Sequence, residues 1–442
     1  MKRILIIGAG RSSGDLIDYL EERSEKNSWS IRLGDYNYSL AEERAKGSIF
    51  ITPFQFDISD SEQLLKEVSL ADIIVSMVPA HMHFPVAKCC VDLKKSMVTA
   101  SYVSPAVLEL HDKATENRSL ILMECGLDPG LDHMSAMRSI DEIKAKGGVL
   151  TLFKSFTGGL VAPENDNLWQ YKFTWNPRNV ILAGQGVSKF IRNNKFKYIP
   201  YHKVFSRIES VTIDEFGEFE AYANRDSLKY NKIYNLGDIP TLFRGTLRRK
   251  GFCEFWDVFV QLGMTDDSYF MTETQGLTFK SFLNSFLPYS DKLSTEEKLM
   301  DVFGLAPDDP IFLKIEALGF FTEKKINLDS KVTPAMVLLE ILMKKWSLSE
   351  NDRDMIVMQH QFEYKIGGRK YKRRSSFGME GKKGNKTAMA KAVGLPVAIA
   401  VEEILNGGIV EVGVQIPVKK SIYEPILNVI SSKGVVFNDI EV

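Results

Sequence analysis

Short apolar segments alternate with amphipathic stretches over the first 125 residues. The stretches between them carry apolar residues at helical spacing, as in Leu16-Ile17-Tyr19-Leu20 and Leu64-Leu65-Val68. Short apolar strands separated by helices are typical of βαβ units, whose parallel sheet is buried on both faces. The pattern therefore predicts a parallel sheet with strands at residues 4–7, 31–33, 54–56, 73–78, 97–100 and 120–123.

The pattern changes after about residue 126. Residues 149–156, 211–222 and 255–260 mix strand and loop signals, with glycines as breakers, which indicates an α+β region up to about residue 280. Residues 282–348 are then mainly helical. A stripe at helical spacing predicts a helix face packed on a core there, formed by Val332, Met336, Leu339 and Met343.

The last 90 residues contain three further predicted elements. Residues 355–364 and 370–376 flank Gly367-Gly368, which predicts a β-hairpin. A largely apolar helix follows at residues 388–405, and residues 434–437 resemble a strand. The basic run at residues 369–374 is interpreted as a solvated strand face rather than a nucleic-acid patch.

Charge and cysteine usage narrow the class of protein. The 442 residues include 56 Lys and Arg against 57 Asp and Glu, and this balance argues against a nucleic-acid-binding protein. The four cysteines form no C-x-x-C pair, which fits reduced thiols in the cytoplasm. The first apolar run stops at Gly8, and no run of 18 apolar residues exists. We therefore expect neither a signal peptide nor a membrane span.

A glycine turn follows the first predicted strand and precedes a helix. Its residues are Gly8, Ala9, Gly10, Arg11, Ser12 and Ser13. Gly8 permits the tight turn, and Gly10 permits close approach of a pyrophosphate to the helix N-terminus. Ser13 stands at the third glycine position, where a small residue still permits close packing of the helix. The motif predicts a dinucleotide site.

The residues around the second predicted strand are compatible with either NAD or NADP. Asp35 ends the second predicted strand, where a carboxylate binds a ribose 2′-hydroxyl and repels a 2′-phosphate. Arg11 and Arg32 lie close in sequence and could instead meet a 2′-phosphate. Further predicted cofactor-binding residues follow later strands: Asp57, Ile58, Met77, Val78, Pro79, Ala100, Ser101 and Leu127.

Polar side chains that could take part in catalysis follow the fifth and sixth predicted strands. Tyr102 follows the end of a strand, where its side chain could reach a substrate. Alternatively, its ring lies at the protein surface with the hydroxyl in water. Asp128, Asp132 and His133 occupy a turn rich in Gly and Pro, and for Asp132 we favour a helix-capping role. No His or Cys set has the spacing of a metal site, and His81 and His83 are interpreted as part of a polar loop.

Several arginines point to an acidic substrate. Arg225, Arg244 and Arg248 occupy loop-like contexts, and guanidinium groups bind carboxylates in a bidentate manner. Taken one at a time, each is also consistent with a surface salt bridge. A strand ending in Thr157-Gly158-Gly159 lies upstream of them.

Together these segments resemble the saccharopine reductase family, the L-glutamate-forming saccharopine dehydrogenases. The matching segments are residues 99–105, 126–134, 155–164, 171–175, 177–178, 224–227 and 244–247. The resemblance implies an α/β homodimer with three domains. These are a Rossmann-type dinucleotide-binding domain (residues 1–125 and about 388–442), an α+β substrate-binding and dimerisation domain (126–281 and about 350–387) and a small helical domain (282–349).

The resemblance also implies an activity and residue roles. The reaction joins 2-aminoadipate 6-semialdehyde to L-glutamate and reduces the imine to saccharopine, or runs in reverse, in lysine metabolism. Tyr102 and Asp128 would act near the reacting nitrogen. The implied substrate contacts are Ser101, Tyr102, Asp128, Thr157, Arg225, Arg244, Thr246 and Arg248.

This chain departs from the family pattern at two positions. Thr157 stands where the family often has a cysteine, which argues against an essential thiol. Asp35 stands where the family, usually NADP-dependent, has a basic residue, so NAD and NADP both remain candidate cofactors.

Two rival functions remain. A carboxynorspermidine-type dehydrogenase would need acidic residues where Arg225 and Arg244 stand. A non-catalytic NAD(H)-binding scaffold would keep Gly8 and Gly10 without needing Tyr102.

Overall fold

The computed structural model describes residues 1–328, 331–384 and 386–441. These residues form two compact units, Met1–Leu150 with Glu363–Val442 and Thr151–Phe362. The first unit thus combines the N-terminal segment with the returning C-terminal one. The separation of residues 282–349 as a domain of their own stays a prediction.

The first unit contains a seven-stranded parallel sheet. Its strand order is β15-β6-β5-β4-β1-β2-β3, with β4 and β2 pairing on either side of β1. This is the order of a doubly wound dinucleotide-binding sheet. Numbered in chain order through the whole protein, its strands are β1 (Lys2–Ile7), β2 (Trp29–Asp35), β3 (Ile51–Gln55), β4 (Ile73–Ser76), β5 (Ser96–Val98), β6 (Leu120–Leu122) and β15 (Gly413–Gln415).

Helices connect these strands, and their apolar faces pack on the sheet. Residues 4–7 are at most 2% exposed, so this strand is buried on both faces as predicted. Asp60 begins one helix by accepting hydrogen bonds from the amides of Glu62 and Gln63. The helices are α1 (Gly14–Asn27), α2 (Tyr38–Ala45), α3 (Ser61–Leu70), α4 (His83–Asp92), α5 (Pro105–Leu108), α6 (His111–Glu116), α7 (Leu131–Ala145), α15 (Ala388–Asn406) and α16 (Lys420–Ser431).

The predicted hairpin is present around Gly367-Gly368. Its strands are β13 (Asp354–Ile366), which crosses the division between the units, and β14 (Arg369–Glu380). In the first unit, β14 pairs antiparallel with β16 (Asn438–Glu441). The sequence predicted a strand at residues 434–437, but the strand begins at Asn438, directly after that segment. Val435 and Phe437 are apolar because they pack in the core just before the strand.

The second unit is built on a mixed sheet with an aromatic-rich core. Its strands follow the order β10-β11-β12-β7-β13, with β8 and β9 as a hairpin beside β12. The strands are β7 (Val149–Val161), β8 (Val187–Arg192), β9 (Lys195–Pro200), β10 (Glu209–Ile213), β11 (Gly217–Ala223) and β12 (Thr241–Arg249). The helices are α8 (Pro177–Ile181), α9 (Lys229–Ile233), α10 (Phe252–Leu262), α11 (Phe279–Asn284), α12 (Thr295–Phe303), α13 (Pro310–Ala317) and α14 (Pro334–Trp346).

One sequence prediction fails in this unit, and a second is met only in part. Residues 255–260 carried strand and loop signals but form the centre of α10, because Phe252, Phe255 and Phe259 recur at helical spacing and are buried. The buried face of α14 consists of Pro334, Ala335, Val337, Leu338, Ile341, Leu342 and Trp346. The predicted stripe residues Met336, Leu339 and Met343 are only partly buried, at the edge of that face.

Candidate active site

The glycine turn joins β1 to α1 at the centre of the parallel sheet. Gly8 has φ +106°, and a Cβ there would lie 2.8 Å from the carbonyl oxygen of Met77. A side chain at Gly10 would meet no atom within 4 Å, so this backbone faces open space. Strand order reverses between β1 and β4, which is where dinucleotides bind in such sheets. The geometry fits a pyrophosphate over Gly10.

Ser13 stabilises the backbone of the turn. Ser13 donates to the carbonyl oxygen of Gly10 from both its amide (3.2 Å) and its hydroxyl (2.7 Å). Helix α15 passes close by, since a Cβ on Gly394 would lie 2.9 Å from the carbonyl oxygen of Ser12. Ser13 is 1% exposed, so the small side chain at the third glycine position is buried, as this close packing requires.

Asp35 ties the end of β2 to this turn. Its Oδ2 accepts a hydrogen bond from the Ala9 amide (2.7 Å), and its Oδ1 accepts one from the Asn37 amide (2.8 Å). Both carboxylate oxygens therefore have fixed positions. The carboxylate lies at the strand end that borders the adenosine ribose in dinucleotide-binding sheets.

The two arginines proposed to meet a 2′-phosphate differ in their surroundings. Arg32 forms a bidentate ion pair with the buried Glu67, at 2.6 and 3.0 Å. Its guanidinium also lies over the Phe54 ring, 4.2 Å from the centroid. Arg32 is thus held by structural contacts, whereas Arg11 is exposed at the glycine turn.

The other predicted cofactor residues follow the strands of the same sheet. Met77 donates from its amide to the Ile7 carbonyl oxygen (2.8 Å), and Val78 and Pro79 continue from β4. Ala100 abuts Gly126, where a Cβ would lie 2.9 Å from that of Ala100. Leu127 is 5% exposed, and Ile58 packs at the edge of the core.

Asp57 follows β3. Its Oδ1 accepts hydrogen bonds from the Ser59 amide (2.9 Å) and hydroxyl (2.7 Å). These bonds lower the pKa of the Asp57 carboxyl, with the hydroxyl bond the larger cause. Asp57 is therefore a loop-stabilising carboxylate near the end of β3.

A buried histidine links two strand ends. His83 Nδ1 lies 2.9 Å from Ser76 Oγ, and His83 Nε2 lies 2.7 Å from Ser101 Oγ. Burial, followed by the neighbouring His81, lowers the pKa of His83 to about 4. The imidazole is neutral at physiological pH, so one ring nitrogen donates and the other accepts. The interpretation of His83 as part of a polar loop was wrong, because the ring is 2% exposed at the start of α4.

Tyr102 and Asp128 are in direct contact. The Tyr102 hydroxyl donates a hydrogen bond to Asp128 Oδ1 (3.0 Å), and the ring is 43% exposed. The turn that presents Asp128 is very tight, since a Cβ on Gly130 would lie 2.1 Å from the Gly126 carbonyl oxygen. Asp132 Oδ1 accepts from the Gly130 amide (2.6 Å) and so supports the start of α7. The predicted capping role of Asp132 is met only in part, because Gly130 is the N-cap residue of α7 and Asp132 lies within its first turn.

Glu124 and His133 form a buried polar pair next to the main chain around Tyr102. Glu124 Oε2 lies 2.7 Å from His133 Nε2, and the residues are 4% and 0% exposed. Glu124 Oε1 accepts a hydrogen bond from the Val103 amide (3.0 Å). The sequence analysis did not single out Glu124. The signal that could have identified it is its position between a buried strand and the turn that carries Asp128.

The second unit brings several predicted substrate residues onto one sheet face. Arg244, Thr246 and Arg248 alternate along β12, and Thr246 lies opposite Thr157 of β7. Arg244 is 4% exposed, with its guanidinium 4.0 Å from the Tyr230 centroid. Thr157 is 8% exposed, and its hydroxyl has no hydrogen-bond partner among the described residues.

Arg248 lies deeper than expected for a loop arginine. It is 3% exposed, and its guanidinium lies 5.0 Å from the Tyr171 centroid and 5.3 Å from that of Phe252. One of its nitrogens donates to the Leu247 carbonyl oxygen (2.9 Å), and another reaches the Tyr222 hydroxyl (3.4 Å). Its contacts within the second unit are therefore those of a packed core cation.

Arg225 is presented by a well-anchored loop after β11. Its carbonyl oxygen accepts from the Lys189 amide (2.8 Å), and the Ser227 amide donates back to Lys189 (2.8 Å). Arg225 has φ +42° and an exposed side chain. In the described parts of the chain, its guanidinium makes no hydrogen bond or ion pair, so it is available to an anion.

The described residues contain neither a metal-binding cluster nor a membrane-spanning helix. No group of three or more His, Cys, Asp and Glu side chains could hold a metal ion. No helix in the same residues has the length and apolar character needed to cross a membrane.

Two family models match the chain. The model described as the saccharopine dehydrogenase NADP binding domain covers residues 4–122. The model described as the saccharopine dehydrogenase C-terminal domain covers residues 126–435. Together they account for most of the chain.

Individual relatives agree with the models. The alpha-aminoadipic semialdehyde synthase of Mus musculus is 34% identical over 99% of this chain, which spans 47% of that protein, about half its length. The saccharopine dehydrogenase [NADP(+), L-glutamate-forming] of Pyricularia oryzae is 31% identical, over 98% of this chain and 97% of that protein.

A solved structure has the same fold over its whole length. Apo saccharopine dehydrogenase (L-Glu forming) from Saccharomyces cerevisiae superposes with a TM-score of 0.89 at 30% identity, covering 100% of each chain. This match bears out the predicted α/β fold with a Rossmann-type domain and a second sheet domain. The chain therefore belongs to the saccharopine dehydrogenase family.

Proposed function

We propose that this protein is an oxidoreductase of lysine metabolism that interconverts saccharopine with L-glutamate and 2-aminoadipate 6-semialdehyde. In the oxidative direction, saccharopine, water and the oxidised nicotinamide cofactor give the two products, the reduced cofactor and a proton. The secondary amine is oxidised to an imine, and water then cleaves the imine. The names of the relatives that match along their full length support this reaction.

The hydrogen bond between Tyr102 and Asp128 is the observation on which the proposal rests. Both residues follow strands of the parallel sheet at the edge where its ligands bind. Imine formation and hydrolysis need protons moved to and from oxygen and nitrogen. The Tyr102 hydroxyl holds a proton that Asp128 Oδ1 accepts, so the pair can give or take one proton at the Tyr102 oxygen.

The residues around the glycine turn fit a nicotinamide dinucleotide. Gly10 leaves space for a pyrophosphate, and Asp35 has a fixed carboxylate at the end of β2. When bound, the cofactor supplies the hydride chemistry, and the protein supplies position and electrostatics. Ser101, whose hydroxyl is bonded to His83, offers a polar contact beside Tyr102.

Arginines of the second unit supply charge for the substrate. Saccharopine carries three carboxylates, and guanidinium groups bind carboxylates with two parallel hydrogen bonds. We assign Arg225 to a substrate carboxylate, because its side chain is exposed on an anchored loop. Thr157, Thr246 and Arg244 are proposed to contribute polar contacts from the face that they share.

The relatives and the residues of this chain point to different nicotinamide cofactors. The matching family model and the Pyricularia oryzae relative are described with NADP. Asp35 and the engaged Arg32 favour a ribose 2′-hydroxyl over a 2′-phosphate in this chain. We therefore propose that NAD(H) binds at least as well as NADP(H).

One assay tests the proposal. Purified protein is incubated with saccharopine and either NAD or NADP, and both reduced nicotinamide and L-glutamate are measured. Formation of both products in equal amounts is expected. No turnover of saccharopine, together with turnover of a carboxylated polyamine, would replace the reaction with the polyamine one. Binding of NAD(H) without turnover of either substrate would indicate a non-catalytic scaffold.

Assembly and location complete the proposal. A homodimer is supported by the apolar side chains of Val187, Phe196 and Tyr198, which are exposed on one face of the β8–β9 hairpin. A cytoplasmic location is supported by four free cysteines, which suit a reducing compartment. Light scattering during size-exclusion chromatography tests the first, and fractionation of cells tests the second.

A further inference from the structure

Glu124 is hydrogen-bonded to the peptide groups on both sides of Tyr102. The Glu124 amide donates to the Ser101 carbonyl oxygen (2.9 Å), which belongs to the peptide group before Tyr102. The Val103 amide, which belongs to the peptide group after Tyr102, donates to Glu124 Oε1 (3.0 Å). Main chain and side chain of Glu124 therefore restrain the Tyr102 backbone together.

Glu124 is itself held in place. Its φ of +58° lies in the left-handed region, which costs a non-glycine residue about 1–2 kcal/mol and so needs support from its surroundings. His133 supplies one such contact at 2.7 Å from helix α7, and the Glu124 side chain is 4% exposed. A carboxylate at this depth with two hydrogen bonds has little freedom to move.

We infer that Glu124 is a positioning residue for Tyr102, an inference that rests on the proposed function. Tyr102 is 43% exposed, so packing restrains its ring only in part. The direction of the ring then depends on the backbone that Glu124 holds and on the bond from the hydroxyl to Asp128. A misplacement of 1 Å costs on the order of a hundredfold in rate when a reacting group must be oriented.

Glu124 also connects the two halves of the candidate catalytic pair. Asp128 lies four residues further along the same segment, in the turn closed by Gly126 and Gly130. A shift of Glu124 would therefore move Tyr102 through its hydrogen bonds and Asp128 through the chain. Ser101 is additionally held by His83, so the region before Tyr102 has a second anchor and the region after it depends more on Glu124.

The kinetic test uses two variants of Glu124 and a matched control. Glu124→Ala should lower kcat for saccharopine by ten- to a hundredfold and leave the Kd of the cofactor within twofold. Glu124→Gln keeps an acceptor for the Val103 amide, and its NH2 group can donate to His133 Nε2 in the tautomer with the proton on Nδ1, so it should restore most of the rate. Glu402→Ala is the control, because Glu402 is also a largely buried carboxylate with two partners, Tyr19 and Arg23, and it should keep its kcat.

A double variant separates positioning from general stability. In the Tyr102→Phe background, Glu124→Ala should lower kcat by less than threefold, because two groups that act through one another have non-additive effects. Independent, multiplicative losses in the double variant would overturn the inference. So would an unchanged kcat in a folded Glu124→Ala protein.

A spectroscopic test does not require turnover. With 3-fluorotyrosine at position 102, the wild-type protein and Glu124→Gln should each give one sharp fluorine resonance. Glu124→Ala should give a broadened resonance shifted towards the urea-denatured position. If Glu124→Ala does not fold, Glu124→Asp replaces it, since its shorter side chain cannot reach Val103 and His133 together. An unaltered resonance in either variant contradicts the inference, and a protein inactive on saccharopine refutes the proposed function without affecting this result.

Discussion

The carboxylate of Asp35 accepts a hydrogen bond from the backbone amide of Ala9, with 2.7 Å between Oδ2 and the nitrogen. This bond joins the end of β2 to the glycine turn, so the residue proposed to select the cofactor also holds the loop proposed to bind its phosphates. We therefore expect cofactor preference and loop order to be coupled.

Replacing Asp35 by Ala should weaken NAD(H) and improve NADP(H), because a charge that repels a 2′-phosphate is removed. Their affinity ratio should change at least several-fold, since about 1.4 kcal/mol corresponds to a factor of ten. Titration of protein fluorescence with each reduced cofactor measures this. Asp35→Asn keeps an acceptor for the Ala9 amide and separates the charge effect from loop order. An unchanged ratio in both variants, with tight NADP(H) binding in the wild type, would show that Asp35 does not select the cofactor.

Removing the Tyr102 hydroxyl should affect chemistry rather than binding. Tyr102→Phe leaves Asp128 without this donor and should lower kcat by about a hundredfold or more, within the range for a general acid or base. The Kd of the cofactor should stay within twofold. Initial rates at saturating substrate and an independent cofactor titration provide the two readouts. A kcat equal to that of the wild type would exclude Tyr102 from proton transfer.

Arg225→Ala should raise KM for saccharopine at least tenfold. A hydrogen bond to a charged group is worth about 1.5–3 kcal/mol, and each 1.4 kcal/mol is a factor of ten. Cofactor affinity should not change. Arg207→Ala is the control, because Arg207 is an exposed arginine of the same unit. Equal KM values for the two variants would remove Arg225 from the substrate site.

The buried imidazole of His83 should make stability depend on pH. Burial lowers the pKa of His83 from 6.5 to about 4, so between these values the unfolded chain binds the proton more readily. The free energy of unfolding should therefore fall as pH falls from about 6.5 through about 4, by at most about 1.4 kcal/mol per pH unit from this residue.

Urea unfolding at several pH values tests the His83 prediction. His83→Gln should flatten the pH dependence between pH 6.5 and 4.5, because it removes the titrating group and keeps a donor and an acceptor. The same change at the exposed His202 is the control and should leave the profile at that of the wild type. Identical slopes for wild type and His83→Gln would contradict the assignment.

Two glycines with positive φ should differ in their tolerance of alanine. A Cβ on Gly130 would lie 2.1 Å from the Gly126 carbonyl oxygen, whereas one on Gly147 would meet nothing within 4 Å. Gly147→Ala should cost about 1 kcal/mol for its backbone conformation alone. Gly130→Ala should cost well over 2 kcal/mol, because the Asp128 turn must open. Equal unfolding free energies for the two variants would show that the turn adapts.

Local pattern was sufficient to predict the parallel sheet and the glycine turn. Residues 4–7 and 73–75 are continuous apolar runs, and a strand buried on both faces requires such a run in the sequence. Gly8 and Gly10 were also predictable from the sequence, because Gly8 has a positive φ (+106°) and Gly10 leaves open the space proposed for a pyrophosphate. The resemblance to the family rested on motifs of the same local kind.

Periodicity was less informative where a segment is apolar on several sides. Residues 255–260 were ambiguous because a short apolar run fits a strand and a buried helix equally well. The buried face of α14 was misplaced because Met336, Leu339 and Met343 are also apolar, and packing alone selected Val337, Leu338 and Ile341 for the core.

The contacts of the site were decided by tertiary structure. Arg32 and Glu67 are 35 positions apart, and the packing of α3 on the sheet brings their charges together, so that Glu67 holds the Arg32 guanidinium. Glu124 reaches Val103 across 21 positions because β5 and β6 are neighbours in the sheet. The chain by itself determined which side chains carry charge and which strands form. The order of the strands in the sheet decided which of those side chains meet, because it depends on how segments distant in sequence pack into one core.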